Sequence, residues 1–241
     1  MDRPSTWKGL NIAHRGASTL APENTLTAFH LAVVCGADMI ELDVQRTIDG
    51  ELVVFHDHHV SRLTNGHGLV VRQTLANLRR LSIRCEQIPT LQEVLERFSG
   101  HLGLNIELKA RGTAAAVAAL LARWPSPARR DEVPPYLVSS FLYTELRDPV
   151  LRASGLPLAV LTSKVTRTTL AVATELGAWS VNCSLRALEP TTVDRVHAAG
   201  FRLLVYTVNE PADLQRCMDL GVDGLFTDHP ERLRSLQNTP P

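Results

Sequence analysis

The stretch Met39-Ile40-Glu41-Leu42-Asp43-Val44 constrains this chain more than any other. Two carboxylates interrupt an apolar run at a spacing of two. On a β-strand that spacing turns both side chains to one face, with Leu42 on the other. Like charges buried side by side repel, and each is costly to desolvate unless a cation or a proton answers it. A second apolar segment, residues 102–108, carries Glu107 and then, two residues on, Lys109. We infer that Glu41, Asp43 and Glu107 converge on one divalent cation; oxygen-only donors select Mg²⁺ or Ca²⁺ over zinc. Two plainer readings stand beside this one. Glu41 and Asp43 could form an exposed strand face, and Glu107 with Lys109 a simple ion pair. The apolar neighbours Met39, Ile40, Leu42 and Val44 argue for burial.

Alternation of short apolar runs with helical periodicity sets the fold class. Strands are expected at 10–13, 39–44, 102–108, 136–139, 157–161, 179–182, 201–206 and 222–226. Helices are expected over 25–35, 91–98, 113–124, 143–153, 167–176, 191–199, 211–220 and 230–236. Eight strands, each followed by a helix, make an α/β chain of the (β/α)₈ TIM-barrel type. A doubly wound open sheet is the alternative. It calls for a glycine-rich dinucleotide turn after the first strand, and His14-Arg15-Gly16-Ala17-Ser18 is not that motif. After the second strand, Asp49-Gly50 signals a hairpin turn back into residues 51–56. Residues 57–88 read as irregular and polar, with a helical turn near 75–81 and one apolar cluster at Leu69, Val70 and Val71. No linker divides the chain. The expectation is one catalytic domain over 1–241 with an insertion at about 45–88.

Charge and hydropathy narrow the function classes. Lys+Arg and Asp+Glu balance at 25 each, and no basic run exceeds two residues, which argues against nucleic acid or an anionic membrane as partner. No apolar stretch is long enough to span a bilayer, and residues 1–10 lack the apolar core of a signal peptide. Cys35, Cys85, Cys183 and Cys217 are scattered without metal or redox spacing, so a reduced, cytoplasmic location is expected.

In a barrel of this kind the C-terminal strand ends carry the site. Those ends supply His14 and Arg15, Glu41 and Asp43, Glu107 and Lys109, Ser139 and Ser140, Asn182, Tyr206 and Asn209, and Thr227 and Asp228. His56, followed by Asp57, lies on the hairpin. Singly, each has a bland reading: His14 structural, Arg15 a surface charge, Asp57 a turn residue bonding its own backbone. The other seven histidines have no comparable context. Jointly, a cation flanked by an arginine fork and a lysine suits a phosphate. Two histidines add a base and an acid near neutral pH. The set describes metal-assisted phosphodiester cleavage.

At this point the chain resembles the glycerophosphodiester phosphodiesterases. The resemblance is carried by His14-Arg15-Gly16 with Pro22-Glu23-Asn24-Thr25, then Glu41-Leu42-Asp43-Val44 with Thr47, Asp49-Gly50, Val53-Val54 and His56-Asp57. Further blocks are Glu107-Leu108-Lys109, Thr207-Val208-Asn209, Gly221-Val222-Asp223-Gly224 and Thr227-Asp228 with Pro230. It implies a TIM barrel with a small insertion, Glu41, Asp43 and Glu107 around the cation, and His14 and His56 as general base and acid. Arg15 and Lys109 would bind the phosphate. A glycerol hydroxyl would displace the alcohol to form a cyclic phosphate, which water opens to glycerol 3-phosphate. Tyr206 stands where the family often has tryptophan, so its ring is a candidate substrate contact. Glu23 could orient Arg15 or serve the following helix terminus. A lysophospholipase D-like activity on a monoacyl lipid is the runner-up, and a non-catalytic phosphodiester-binding barrel the alternative from another class. Oligomeric state is not legible.

Overall fold

Eight parallel strands close on themselves in the computed structural model, which describes residues 7–124 and 133–238. Residues 1–6 of the polar N-terminal stretch lie outside the described residues. The strands are β1 (Leu10–Ala13), β2 (Met39–Arg46), a hairpin strand β3 (Leu52–Val54), β4 (Gly103–Leu108), β5 (Tyr136–Ser140), β6 (Leu158–Thr162), β7 (Ser180–Ser184), β8 (Arg202–Tyr206) and β9 (Gly224–Thr227). The sheet runs β1-β9-β8-β7-β6-β5-β4-β2, and β1 pairs back onto β2 through Ile12 opposite Met39 and Ala13 opposite Ile40. That closing pair makes a (β/α)₈ barrel and excludes the open doubly wound sheet. β3 lies antiparallel on β2 as the expected hairpin.

Register decides which residues face inward. Asp43 lies opposite Glu107, Glu41 opposite Asn105, and Glu107 opposite Ser139. Because side chains alternate, these groups share the barrel interior, whereas Ile40, Leu42, Val44, Leu104, Ile106 and Leu108 join the core under the helices. Below the acids the interior is plugged by Ile12, Met39, Leu137, Ala159, Leu204 and Phe226. The carboxylates therefore sit on an apolar floor, where water cannot screen them from beneath.

The helices are α1 (Leu26–Val34), α2 (Leu75–Leu78), α3 (Leu91–Phe98), α4 (Ala114–Leu121), α5 (Tyr143–Leu146), α6 (Pro149–Ala153), α7 (Arg167–Leu176), α8 (Pro190–Ala198), α9 (Pro211–Asp219) and α10 (Pro230–Asn238). Local signals explain their starts. Thr90 Oγ1 accepts from the Glu93 amide while Glu93 Oε2 accepts from the Thr90 amide, a reciprocal cap on α3. Proline opens α6, α8 and α9, where its missing N–H costs nothing. The helix expected over 143–153 is two. Pro149 restricts Asp148 to φ −55°, ψ 129°, and the freed Asp148 carboxylate caps α6 by accepting from the Val150 amide at 2.9 Å. No helix among the described residues is long and apolar enough to cross a membrane.

The segment after β3 departs further from the sequence reading. It carries its own apolar core: Val60, Val70, Leu78, Ile83 and Ile88 bury against Val53 and Phe55 of the hairpin. Periodicity conceals this because two 3₁₀ turns (Val60–Arg62 and Val70–Arg72) and the single-turn α2 each contribute one buried residue. The Leu69, Val70, Val71 run is accordingly not its only apolar cluster, and Val71 is exposed.

α1 and α3 meet edge-to-face through Phe29 and Phe98, with ring centroids 5.9 Å apart. Phe29 is fully buried, so Phe29→Ala removes a ring with no solvent to refill the space. Urea unfolding should show a loss of about 3–5 kcal/mol. A loss below about 1 kcal/mol, the range of surface substitutions, would mean that this contact is not part of the core.

Candidate active site

Glu41, Asp43 and Glu107 each offer an oxygen lying within 4.8 Å of the others. Glu41 and Asp43 are buried, and Glu107 is only slightly exposed. Burial, then the Asp43 and Glu107 charges, push Glu41 well above the ordinary carboxylate range. Burial followed by Asp43 raises Glu107 as well. Asp43 goes the other way: burial would raise it, but Lys109, Arg15 and His56 together outweigh that and hold it low. Lys109 Nζ lies 2.9 Å from Glu107 Oε1 and 3.5 Å from Asp43 Oδ1. The Asn24 amide donates to Asp43 Oδ2 at 2.8 Å.

Arg15 is placed by backbone geometry as much as by charge. Its φ of 58° is strained for a residue with a side chain, and its N–H donates to Glu41 Oε2 at 2.9 Å. The guanidinium reaches Glu23 Oε1 at 2.8 Å and lies 3.4 Å from Asp43 Oδ2. Gly16 follows at φ 83°, where a Cβ would meet the Ala28 carbonyl carbon at 2.7 Å. Only glycine fits there, which explains the third residue of His14-Arg15-Gly16. Glu23 thus orients Arg15, resolving the two readings left open for it.

Both histidines are anchored through Nδ1. His14 pairs with Asp228 Oδ1 at 2.8 Å, and His56 with Asp57 Oδ1 at 2.7 Å. An Nδ1–H given to a carboxylate leaves Nε2 as the nitrogen able to exchange protons. Ser18 and Asn209 also donate to Asp228, at 2.9 and 2.7 Å. Burial would raise Asp228, but His14, Asn209 and Ser18 bring it down to about 2. Its stabilising contribution is therefore complete above 3.8 and is lost as pH falls toward 2. Burial lowers His56 below 6.5 despite the neighbouring Asp43 and Asp57.

A cavity of about 280 Å³ opens among these groups, lined by His14, Arg15, Glu41, His56, Asn105, Glu107 and Lys109 on one side. Phe141, Leu161, Tyr206 and Phe226 form the other side. Tyr206 stacks edge-on against Phe141 and Phe226 and donates its hydroxyl to the Thr162 carbonyl at 2.8 Å. Six charged or imidazole groups from three strand ends and one hairpin thus converge opposite an aromatic wall.

The family model described as "Glycerophosphoryl diester phosphodiesterase family" matches residues 14–232. The chain belongs to that family. A glycerophosphodiester phosphodiesterase of Caldanaerobacter subterraneus is 36% identical to it, over 95% of this chain and 98% of that protein. One from Bacillus subtilis is 32% identical, over 92% of this chain and 84% of its own length. An Oleispira antarctica phosphodiesterase, solved in complex with the product sn-glycerol-3-phosphate, superimposes with a TM-score of 0.86 at 31% identity. That match covers 95% of this chain and 96% of the other. A Thermotoga maritima member gives a TM-score of 0.78 at 26% identity, over 94% and 98%. The family resemblance read from the motifs is thereby established, and this member is an enzyme.

All eight residues singled out from the enzyme's sequence line this cavity or, for Asp43, lie in the carboxylate cluster beside it. Sequence reasoning missed the supporting groups. Asp57 and Asp228 were placed near the site but given no partner; each proves to hold a histidine. Asn24 stands out in the sequence only as part of a motif. Arg62, in the insertion, lies in no motif and at no strand end that would mark it. Adjacency of Asp57 to His56 was the one available signal.

Removing one charge from the cluster tests its electrostatics. Glu41→Gln keeps an oxygen for the Arg15 amide but relieves the repulsion. In chelator at pH 7 its melting temperature should equal or exceed that of the unsubstituted enzyme. A substantial fall would mean that the Glu41 charge is already compensated.

Proposed function

We propose that the enzyme hydrolyses glycerophosphodiesters to glycerol 3-phosphate and an alcohol, using His14 and His56 as general base and acid. The observation that carries this is the convergence of both carboxylate-anchored imidazoles with Arg15 and Lys109 on one cavity, in a chain of this family. Arg15 and Lys109 bind the phosphodiester oxygens, one as a planar fork and one as a point charge. The glycerol hydroxyl vicinal to the ester attacks phosphorus as one imidazole takes its proton. The P–O bond to the leaving alcohol breaks, and the other imidazolium protonates that oxygen. A five-membered cyclic glycerol phosphate results. Water then attacks phosphorus and gives its proton to the imidazole that has just lost one. The ring P–O bond breaks, and its oxygen takes the proton stored on the first. Each histidine ends as it began.

The donor set fits a hard divalent cation, Mg²⁺ or Ca²⁺. Three carboxylates crowd within 4.8 Å, two of them pushed toward protonation, and the adjoining buried Asn105 Oδ1 has no hydrogen-bond partner. Glu41, Asp43 and Glu107 would hold it. When bound, such an ion offsets negative charge developing on the phosphoryl oxygens. Tyr206 and Phe141 would meet the glycerol or the leaving alcohol.

A monoacyl lipid is the second reading, favoured by Phe141, which is 45% exposed. The cavity, about 280 Å³ against roughly 300–1,000 Å³ for drug-sized ligand sites, supports instead a substrate without an acyl chain. The same reading assigns the enzyme to a reducing, cytoplasmic compartment, in keeping with four free cysteines.

Turnover of glycerophosphocholine and of lysophosphatidylcholine, compared side by side, tests the substrate class; preference for the lipid overturns it. Chelation should abolish turnover and Mg²⁺ or Ca²⁺ restore it, whereas full activity in chelator removes the ion from the account. His14→Ala and His56→Ala should each lower kcat by roughly a hundredfold to ten-thousandfold. A change below about tenfold reassigns that histidine to structure. Because His56 as the acid of the first step must carry its proton and burial lowers it, kcat/KM should fall as pH rises, along a limb that begins below 6.5. An alkaline limb that begins only above 6.5 would contradict that environment.

A further inference from the structure

Resting on the functional reading above, we propose that Arg62 is a positioning residue for the reaction. From the insertion it holds both the proton-transferring His56 and the phosphate-facing Arg15 in place. Arg62 touches neither of them. Instead both edges of its guanidinium are occupied. Nε and Nη2 fork onto the two oxygens of Asp57, and Nη1 and Nη2 fork onto the two oxygens of Glu23, the latter at 3.1 and 2.7 Å. Asp57 in turn holds His56 Nδ1, and Glu23 holds Arg15 Nη1. A continuous chain, His56–Asp57–Arg62–Glu23–Arg15, therefore links two residues that line the cavity.

The arrangement uses what arginine has and lysine lacks. Two bidentate carboxylate pairs use four of the guanidinium's five donors, held in one plane. Asp57 is held far below the ordinary range, by the Arg62 bond in the main and by His56. Burial would raise Glu23, but Arg62 and Arg15 hold it low. Both anchors thus stay ionised at neutral pH. The Arg62 side chain is 48% exposed, so these ion pairs add little to folding stability. What they fix is orientation.

The insertion's own core supplies the pedestal. Arg62 closes the 3₁₀ turn Val60–Arg62, whose Val60 is fully buried among Phe55, Val70 and Leu78. The Val60 amide donates to the Gly68 carbonyl at 3.0 Å, and the Val70 amide to the His58 carbonyl at 2.9 Å, pinning the turn from both sides. This gives the insertion a task in catalysis without a residue of its own touching substrate beyond His56.

The test is steady-state kinetics on glycerophosphocholine with saturating Mg²⁺ or Ca²⁺, alongside thermal unfolding. Arg62→Gln should lower kcat about tenfold to a hundredfold, the scale of a misplaced catalytic group, and raise KM through Arg15, with little change in melting temperature. Arg62→Lys can satisfy one carboxylate but not both, so it should recover kcat or KM in part and not the two together. Adding Asp57→Asn to Arg62→Gln should lower kcat no further than Asp57→Asn alone, because the route to His56 is already broken. Arg72→Gln, on the next turn of the insertion and away from the chain, should leave kcat and KM unchanged. Wild-type kcat and KM in a folded Arg62→Gln variant would overturn the inference while leaving the functional reading intact. Full kcat in Arg62→Gln with only a lower melting temperature would reduce Arg62 to a structural ion pair. An unsubstituted enzyme that turns over no glycerophosphodiester would overturn both.

Discussion

Repulsion among three buried carboxylates is the constraint on which the rest of this structure depends. Glu41, Asp43 and Glu107 face one another above an apolar floor, and two cations do not neutralise three anions. The imbalance is visible in opposite responses within one cluster. Asp43, between Lys109 and Arg15, stays ionised, while Glu41 and Glu107 are driven toward protonation. A fold that only needed stability would replace such a cluster with apolar residues. Keeping it makes sense when the missing positive charge arrives with the reaction.

The barrel turns that electrostatic problem into a geometric one. Parallel pairing in register sets Asp43 beside Glu107, and side-chain alternation keeps Leu42 and Ile106 out of the way in the outer core. A slip of one residue in β4 would exchange Glu107 for Ile106 or Leu108 at the site and leave a carboxylate under the helices. The apolar packing on the far face therefore enforces the polar arrangement on the near one. Stability of the outer core and precision of the site are consequences of a single register.

That coupling also explains what could be read from the sequence. The barrel was legible because its strands and helices have different periods, and because acids interrupting an apolar strand are conspicuous. The break at Asp148-Pro149 was legible in principle, since proline cannot continue a helix, yet the helical pattern on either side masked it. The insertion was not legible as a packed unit. Its buried residues belong to isolated turns, which carry no period to detect. Among the site groups, His14, Arg15, Glu41, Asp43, His56, Glu107, Lys109 and Tyr206 declare themselves by chemistry at strand ends. Asp228, Asp57, Asn24 and Arg62 act through other residues, and pairings such as His14 with Asp228, far apart in the chain, exist only once the barrel has closed.

The two histidines are alike in chemistry and different in construction. His14 follows β1 directly and is held by Asp228, just past β9, a strand hydrogen-bonded to β1 itself; Ser18 and Asn209 complete the carboxylate's contacts. That imidazole is part of the barrel. His56 instead follows β3 and takes its orientation from Asp57, whose other partner belongs to a turn of the insertion. One imidazole is thus set by the barrel scaffold, and the other by a segment added to one connection. The insertion reaches His56 through Asp57 and Arg15 through Glu23, while the contacts that hold His14 come from the barrel. In the two-step reaction proposed above, where each imidazole would serve both as acid and as base, the two alignments would then have different structural sources.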